Sequence, residues 1–380
     1  MKITCVETIT LARGITVHAG PIRWLWLRLH TDAGLIGLGE TYPFPEAEAG
    51  VIHGALARTL LGQDPSRIDW LWREMHLAVS YAGWAGAEIR AISAVDMALW
   101  DLAGKVAGQP LYQLLGGASR ERIPTYNTCY DHLDFHREPE RLAESLLESG
   151  IRAMKIWPFD PVARRSGGQR ITAEEIQEGL EPLERIRQRF GRSMDVAMEF
   201  HGFWSLAAAR QIARALEPLE PMWLEEMLPQ DNLAAYRELA RATRLPLTLS
   251  ERLATRWGYR ELFENRAAAV IMPDISWCGG ISEAKKIATA AETHYLPVAP
   301  HNCGGPVLHA ASLHLAANLP NLYILESVRR HYADEYRGLV TPIVQPENGS
   351  FPLPPGPGLG VELEPAVLTR EDAIIRRSEA

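Results

Sequence analysis

Four cysteines in 380 residues (Cys5, Cys129, Cys278 and Cys303) are too few and too scattered for a disulfide framework, and no CxxC pair marks a thiolate metal site. Reduced thiols are expected, as in a cytoplasmic protein. Positive charge is also in deficit. Lys and Arg number 39 against 47 Asp and Glu, a net charge of −8, which excludes a general attraction for nucleic acid or anionic membranes. An anionic ligand must therefore be held by local charge, from Lys, Arg or a metal. No window reaches the roughly 18 continuous apolar residues of a membrane span. The opening MKITCVETITLARG alternates like a strand and lacks the apolar core of a signal peptide. These absences together lead to the expectation of a soluble cytoplasmic protein with no nucleic-acid or membrane partner. No GxGxxG follows the first strand-like run, which argues against an open dinucleotide-binding sheet.

What is present is a globular composition, 47% hydrophobic and 23% charged, in a chain too long for one ordinary core. The first third reads as α+β. The strand-like run IRWLWLRLH (22–30) turns at TDAGLIGLGE and pairs back. Helical patterns then follow at 46–61, 68–79 and from Glu88 to Ala107, and paired glycines in GQPLYQLLGG close the region. From Ile123 short apolar runs alternate with amphipathic helices. The runs are 123–129, 151–157, 194–200, 222–227, 246–251, 269–275, 295–301 and 322–327. The helices are 138–149, 173–190, 205–217, 232–243, 257–265, 281–292 and 306–318. Eight strand-then-helix units over about 200 residues describe an α/β fold, a (β/α) barrel. The Pro- and Gly-rich stretch after Gly338 reads as an irregular tail folding back on the first domain. The expected units are 1–118, 119–338 and 339–380.

Barrel chemistry sits at the C-terminal ends of strands. Here the third strand ends DVAMEFHG, the fourth WLEEM, the fifth LSER, the sixth MPDI, the seventh APHN and the eighth ILES. Strand alternation places Glu199 and His201 on one face. Glu199, Glu225 and Glu251 are equally spaced, 26 residues apart. Three carboxylates converging without a basic partner repel strongly, and a hard divalent cation resolves the conflict: one Mg²⁺ per subunit, with Mn²⁺ as a substitute. Glu226 adjoins Glu225 and is expected to point the other way. Asp274 and His301 close neighbouring strands, and a carboxylate beside an imidazole fixes its tautomer and makes a general base.

The segments MEFH (198–201), WLEE (223–226), SER (250–252), MPDISWCGG (272–280), APHNCGGP (299–306) and ILE (324–326), with the helix AISAVDMALWDLAGKVAGQPLYQLLGG (91–117), resemble the enolase superfamily in its mandelate racemase subgroup. The resemblance covers nearly the whole chain. It implies an N-terminal α+β domain that caps the barrel mouth through loops near Gly14–Arg23 and Thr41–Glu48. It implies Mg²⁺ on the three glutamates, His301 with Asp274 as base, and Glu326 bonding the substrate carboxylate or developing enolate. A Lys or His base with Mg²⁺ stabilising an enediolate is the chemistry of that superfamily. Homo-oligomers are usual among its members.

The departures from the pattern carry information. Many members of the family have Lys-x-Lys at the end of the second strand; here Lys155 matches the first and Trp157 replaces the second. One face of the substrate carbon thus lacks its usual base, which disfavours racemisation. Glu199 stands where Asp is commoner. His201 matches the histidine that, in acid-sugar dehydratases of the subgroup, protonates a departing hydroxyl. The expected reaction is loss of water from a small-molecule sugar acid to give a 2-keto-3-deoxy acid. A cycloisomerase acting on a sugar lactone or anhydro-sugar acid is the alternative on the same fold, and a non-catalytic metal and sugar-acid binder is the alternative from another class. Trp157, Arg252 and Asn302 are candidates for substrate contact. Trp204 and Trp277 are candidate pocket walls, Arg164, Arg165 and Arg170 read as a solvated loop or, alternatively, as a draw for an anionic substrate, and Cys303 receives no role.

Overall fold

The computed structural model describes residues 1–17 and 20–380. The N-terminal sheet is antiparallel, in the order Ala373–Glu379, Ile3–Leu11, Leu25–Thr31 and Ile36–Thr41. Its glycines have a packing reason. A Cβ on Gly37 would lie 2.2 Å from the Ala98 carbonyl oxygen, and one on Gly39 2.0 Å from that of Ala94. Only glycine lets strand Ile36–Thr41 lie directly on the helix Ala87–Ala107. That helix ends at Gly108 in the left-handed conformation. It also ties the two parts of the chain together: Asp96 accepts from the Ser282 amide and hydroxyl, and Asp101 from the Leu38 and Leu359 amides.

The second part is a parallel barrel. Its strands are Arg122–Thr128, Ala153–Ile156, Asp195–Glu199, Leu224–Glu225, Leu247–Leu249, Val270–Ile271 and Leu325–Ser327. The expected seventh strand at 295–301 is reduced to bridges: Val298 pairs with Ile271 and Leu322, and His301 with Asp274. These bridges close the sheet. The eighth unit is also corrected, because Leu325–Ser327 is followed only by a short helical turn, His331–Glu335.

Two further expectations change. The tail after Gly338 is more regular than its composition suggests. Ala373–Glu379 is an edge strand of the N-terminal sheet, paired residue for residue with the start of the chain, and Ser350–Pro352 pairs with Arg122–Thr128. The helix Pro306–Asn318, expected to be amphipathic, is buried on every side. Its outer face meets the N-terminal part and the tail: His314 Nδ1 accepts from the Tyr112 amide, and its Nε2 lies 3.1 Å from the Leu359 carbonyl.

The start of that helix carries a testable electrostatic feature. Glu40, at the end of the cap strand, accepts from the amides of Val307 and Leu308 and from Trp26 Nε1. Burial nevertheless pushes its carboxyl up to about 8, against the pull of those donors. A carboxyl whose folded value lies above its unfolded one stabilises the fold below the unfolded value, near 4.5, and loses that contribution as pH rises through 8. The wild-type Tm should therefore fall relative to that of Glu40→Gln between about pH 5 and pH 8. Thermal melts of both proteins across that range check this, and a difference that stays constant with pH shows Glu40 to be ionised throughout.

Candidate active site

The ends of the first, second, third, fifth, seventh and eighth barrel segments line a cavity of about 430 Å³. Its walls include Lys155, Trp157, Glu199, His201, Glu251, Arg252 and His301. The size lies within the ordinary range for small-molecule sites.

The three glutamates meet as their spacing suggests. Glu199, Glu225 and Glu251 each place a carboxylate oxygen within 4.8 Å of the others. The backbone amides of Phe200 and His201 donate to Glu199, and Trp223 Nε1 donates to Glu225 at 2.8 Å. Lys155 Nζ lies 2.5 Å from Glu225, 2.9 Å from Glu326 and 3.4 Å from Glu199. Burial and the Glu199 charge push the Glu225 carboxyl far above the usual range. Burial also opposes ionisation of Glu199, but Lys155 and then His201 outweigh it and hold that carboxyl well below the usual range. Five buried or nearly buried carboxylates (Glu199, Glu225, Glu226, Glu251 and Glu326) thus share two permanent cations, Lys155 and Arg252. An all-oxygen donor set short of positive charge fits a hard divalent cation.

Glu226 departs from the expected orientation. Its backbone is left-handed, φ 44°, so the alternation that would send it away from Glu225 is broken. Its side chain is buried and ion-paired with Arg252, which also reaches Glu251 at 3.4 Å. His201 (φ 50°) and Ser250 (φ 113°) are left-handed as well, at the neighbouring strand ends. Such conformations cost about 1–3 kcal/mol each and gather where side-chain placement outweighs backbone comfort.

Across the cavity, His301 Nδ1 lies 2.7 Å from Asp274 Oδ2. Asp274 is fully engaged: Tyr42 OH donates to Oδ2, and the Ser276 amide and hydroxyl donate to Oδ1. With Nδ1 so held, Nε2 faces inward, 3.3 Å from Glu251 and 3.8 Å from Glu326. Trp277 lies against the ring at 5.3 Å, and the Cys303 thiol is within its reach. Burial pushes that thiol up to about 12, so it stays protonated. Glu326 accepts from Thr128 and from the Asn302 amide.

His201 stands on the opposite side. Its Nδ1 is 2.8 Å from Asp160 Oδ2, at ion-pair distance but off the hydrogen-bond axis. Burial lowers the ring's basicity, yet Glu199 and Asp160 outweigh it and raise the ring to about 9.

Several expectations need correction. Asn302 does not face the cavity: its side chain donates to the Glu326 carbonyl and meets His309, so it braces Glu326. Trp204 is core, packed on Phe159. Arg165 pairs with Glu178, whereas Arg164 lines the cavity, and the segment holding both is the helix Asp160–Ser166 rather than an open loop. The loop near Gly14–Arg23 is a hairpin of Ile15–Val17 with Gly20–Ile22, its tip outside the described residues. The loop from Thr41 reaches the barrel through Thr41 on the Ser276 carbonyl and Tyr42 on Asp274. Sequence reasoning missed Tyr42, Thr128 and Asp160, although Tyr42 lies in the loop expected to cap the mouth and Thr128 in the first barrel run.

Known proteins resemble this chain along nearly its whole length. Residues 6–116 match the mandelate racemase / muconate lactonizing enzyme N-terminal domain, and residues 138–367 the enolase C-terminal domain-like family. A D-galactonate dehydratase from Verminephrobacter eiseniae is 33% identical over 367 residues, covering 93% of this chain and 92% of its own. One from Ralstonia nicotianae is 33% identical over 383 residues, covering 97% and 94%. Among solved structures, an enolase of the mandelate racemase subgroup from Agrobacterium tumefaciens superposes with a TM-score of 0.91 at 45% identity, covering 100% and 99% of the two chains. An enolase protein from Sargasso Sea environmental sequence gives 0.91 at 38% identity, covering 100% and 99%.

Proposed function

We propose that this chain, which belongs to the mandelate racemase / muconate lactonizing enzyme family of the enolase superfamily, is a hydro-lyase that dehydrates a sugar acid to a 2-keto-3-deoxy acid. The observation that carries this reading is a pair of imidazoles on opposite sides of one cavity, His301 and His201, with the carboxylate cluster between them. The D-galactonate dehydratases among its relatives support the substrate class.

His301 Nε2 takes the proton α to the carboxylate, and the electron pair passes into the carboxyl group. A divalent cation held by Glu199, Glu225 and Glu251, Mg²⁺ by the chemistry of the donor set, would supply Lewis-acid stabilisation of the charge that develops. Lys155 stands beside that charge and orients the carboxylate, its ammonium held in place by Glu326 at 2.9 Å. As the electrons return, the bond from the β-carbon to its hydroxyl breaks, and His201 donates a proton so that water leaves. The resulting enol tautomerises to the keto acid. Trp157 supplies no proton acceptor where many members of the family carry a second Lys, which disfavours racemisation.

His201→Asn separates the two steps. Dehydration of D-galactonate should slow by roughly 10²–10⁴-fold, the contribution of a general acid. Exchange of the α-proton with solvent deuterium should continue, because His301 is untouched. A β-fluoro substrate, whose leaving group needs little protonation, should recover much of the loss. Undiminished dehydration, or equal loss of both steps, removes His201 from the mechanism and favours the cycloisomerase.

A further inference from the structure

The turn after the second barrel strand, Trp157 to Asp160, does not carry the base that this position holds in many members of the family. It is packed instead around His201. Asp160 opens the helix Asp160–Ser166 and is only 7% exposed. Its Oδ2 lies 2.8 Å from His201 Nδ1, and its Oδ1 has no hydrogen-bond partner among the described residues. A buried carboxylate oxygen without a donor is costly, so the side chain is held there by something other than its own stability.

The imidazole is constrained from several sides. Trp157 stands edge-on to it at 6.0 Å and 76°, and Phe203 lies at 5.9 Å and 39°. The His201 amide donates to Glu199, and the following amide, that of Gly202, donates to the Glu226 carbonyl. With Nδ1 turned to Asp160, Nε2 is the nitrogen left for the cavity that His201 lines. The Asp274–His301 pair, half a barrel away, sets Oδ2 at a similar 2.7 Å from Nδ1, there as a hydrogen bond, whereas the Asp160–His201 contact is an ion pair off the hydrogen-bond axis.

We infer that Asp160 is a positioning residue for His201, aiming its Nε2 at the departing hydroxyl, with Trp157 and Phe203 as the walls of the slot. A carboxylate on one imidazole nitrogen orients the ring and selects which nitrogen faces the substrate. Trp157 thereby gains a role that its position at a missing base left unexplained. The inference rests on the reading of His201 as the proton donor.

The test uses Asp160→Asn and Asp160→Glu in the full-length protein with Mg²⁺ present, read in two ways. In protein labelled with ¹⁵N-histidine, the His201 ring resonances are assigned by their disappearance in His201→Asn. Asp160→Asn should shift them, and Asp160→Glu should move them part of the way back. With D-galactonate, Asp160→Asn should lower the kcat of dehydration roughly 10- to 100-fold, part of what a general acid contributes. KM and α-proton exchange should stay close to wild type, and Asp160→Glu should recover part of the rate. His201 resonances unmoved by Asp160→Asn overturn the inference, as does a parallel fall of exchange and dehydration. Failure of the underlying reading looks different: His201→Asn then dehydrates normally, while the Asp160→Asn resonance shift still appears. If D-galactonate is not turned over, the resonance shift alone decides.

Discussion

His301→Asn is expected to abolish exchange of the substrate α-proton with solvent, a loss of about 10⁴-fold or more, at the upper end of what a positioned base contributes. Asn preserves a polar side chain of similar reach but accepts no proton at the relevant atom. In the wild-type site Asp274 engages Nδ1, and Tyr42 and Ser276 hold Asp274 in turn, so Nε2 has one fixed direction, inward. Two residues lining the same cavity, Lys155 and Cys303, cannot stand in. Lys155 is locked among Glu199, Glu225 and Glu326, and the charges around it keep it firmly protonated despite its burial, with Glu199 and Glu326 ionised beside it. Cys303 is a thiol pushed up to about 12. Measuring deuterium incorporation at the α-position in D₂O checks the expectation. Exchange that survives in His301→Asn and disappears when Lys155 is replaced puts the base on the other face of the substrate.

Removal of the divalent cation is expected to have an effect of similar size. Turnover should vanish in excess chelator and return with Mg²⁺, and with Mn²⁺ as a substitute. Glu225→Gln should cost about 3–4 kcal/mol of transition-state stabilisation, the scale on which preorganised site electrostatics act. The physical ground is the charge balance of the site. Glu225 is buried beside Glu199, with Lys155 as its nearest cation. Without further positive charge, its carboxyl is driven toward the protonated form. Calorimetric titration of the metal-free protein with Mg²⁺ gives a second readout, in which Glu225→Gln should bind more weakly than wild type. Full turnover in excess chelator would end the metal reading.

The readable part of the site was the part encoded locally. Alternation along a strand puts Glu199 and Glu225 on the barrel's inner mouth, and the βα repeat carries Glu251, Asp274, His301 and Glu326 to neighbouring strand ends. Both patterns have periods of two residues or one unit, so one pass along the chain finds them. Glu226 escaped because alternation assumes an extended backbone, and its left-handed φ ends the strand one residue early. Asn302 was misread for a related cause: its neighbour His301 faces the cavity, and the turn after it sends Asn302 to the Glu326 carbonyl.

The sequence by itself determined the class of fold, the carboxylate set and the Asp–His pair on adjacent strands, because each follows from local periodicity repeated along the chain. Only the tertiary structure decided the partners that lie far apart or on different kinds of element. Tyr42 bonds Asp274 across 232 residues, and Glu40 meets the start of Pro306–Asn318 across 267. The C-terminal strand joins Ile3–Leu11, and Asp160, on a short helix, meets His201 beyond a strand end. Such contacts are set by how rigid elements pack, and packing depends on the volume and shape of the whole core rather than on the spacing of residues within a segment.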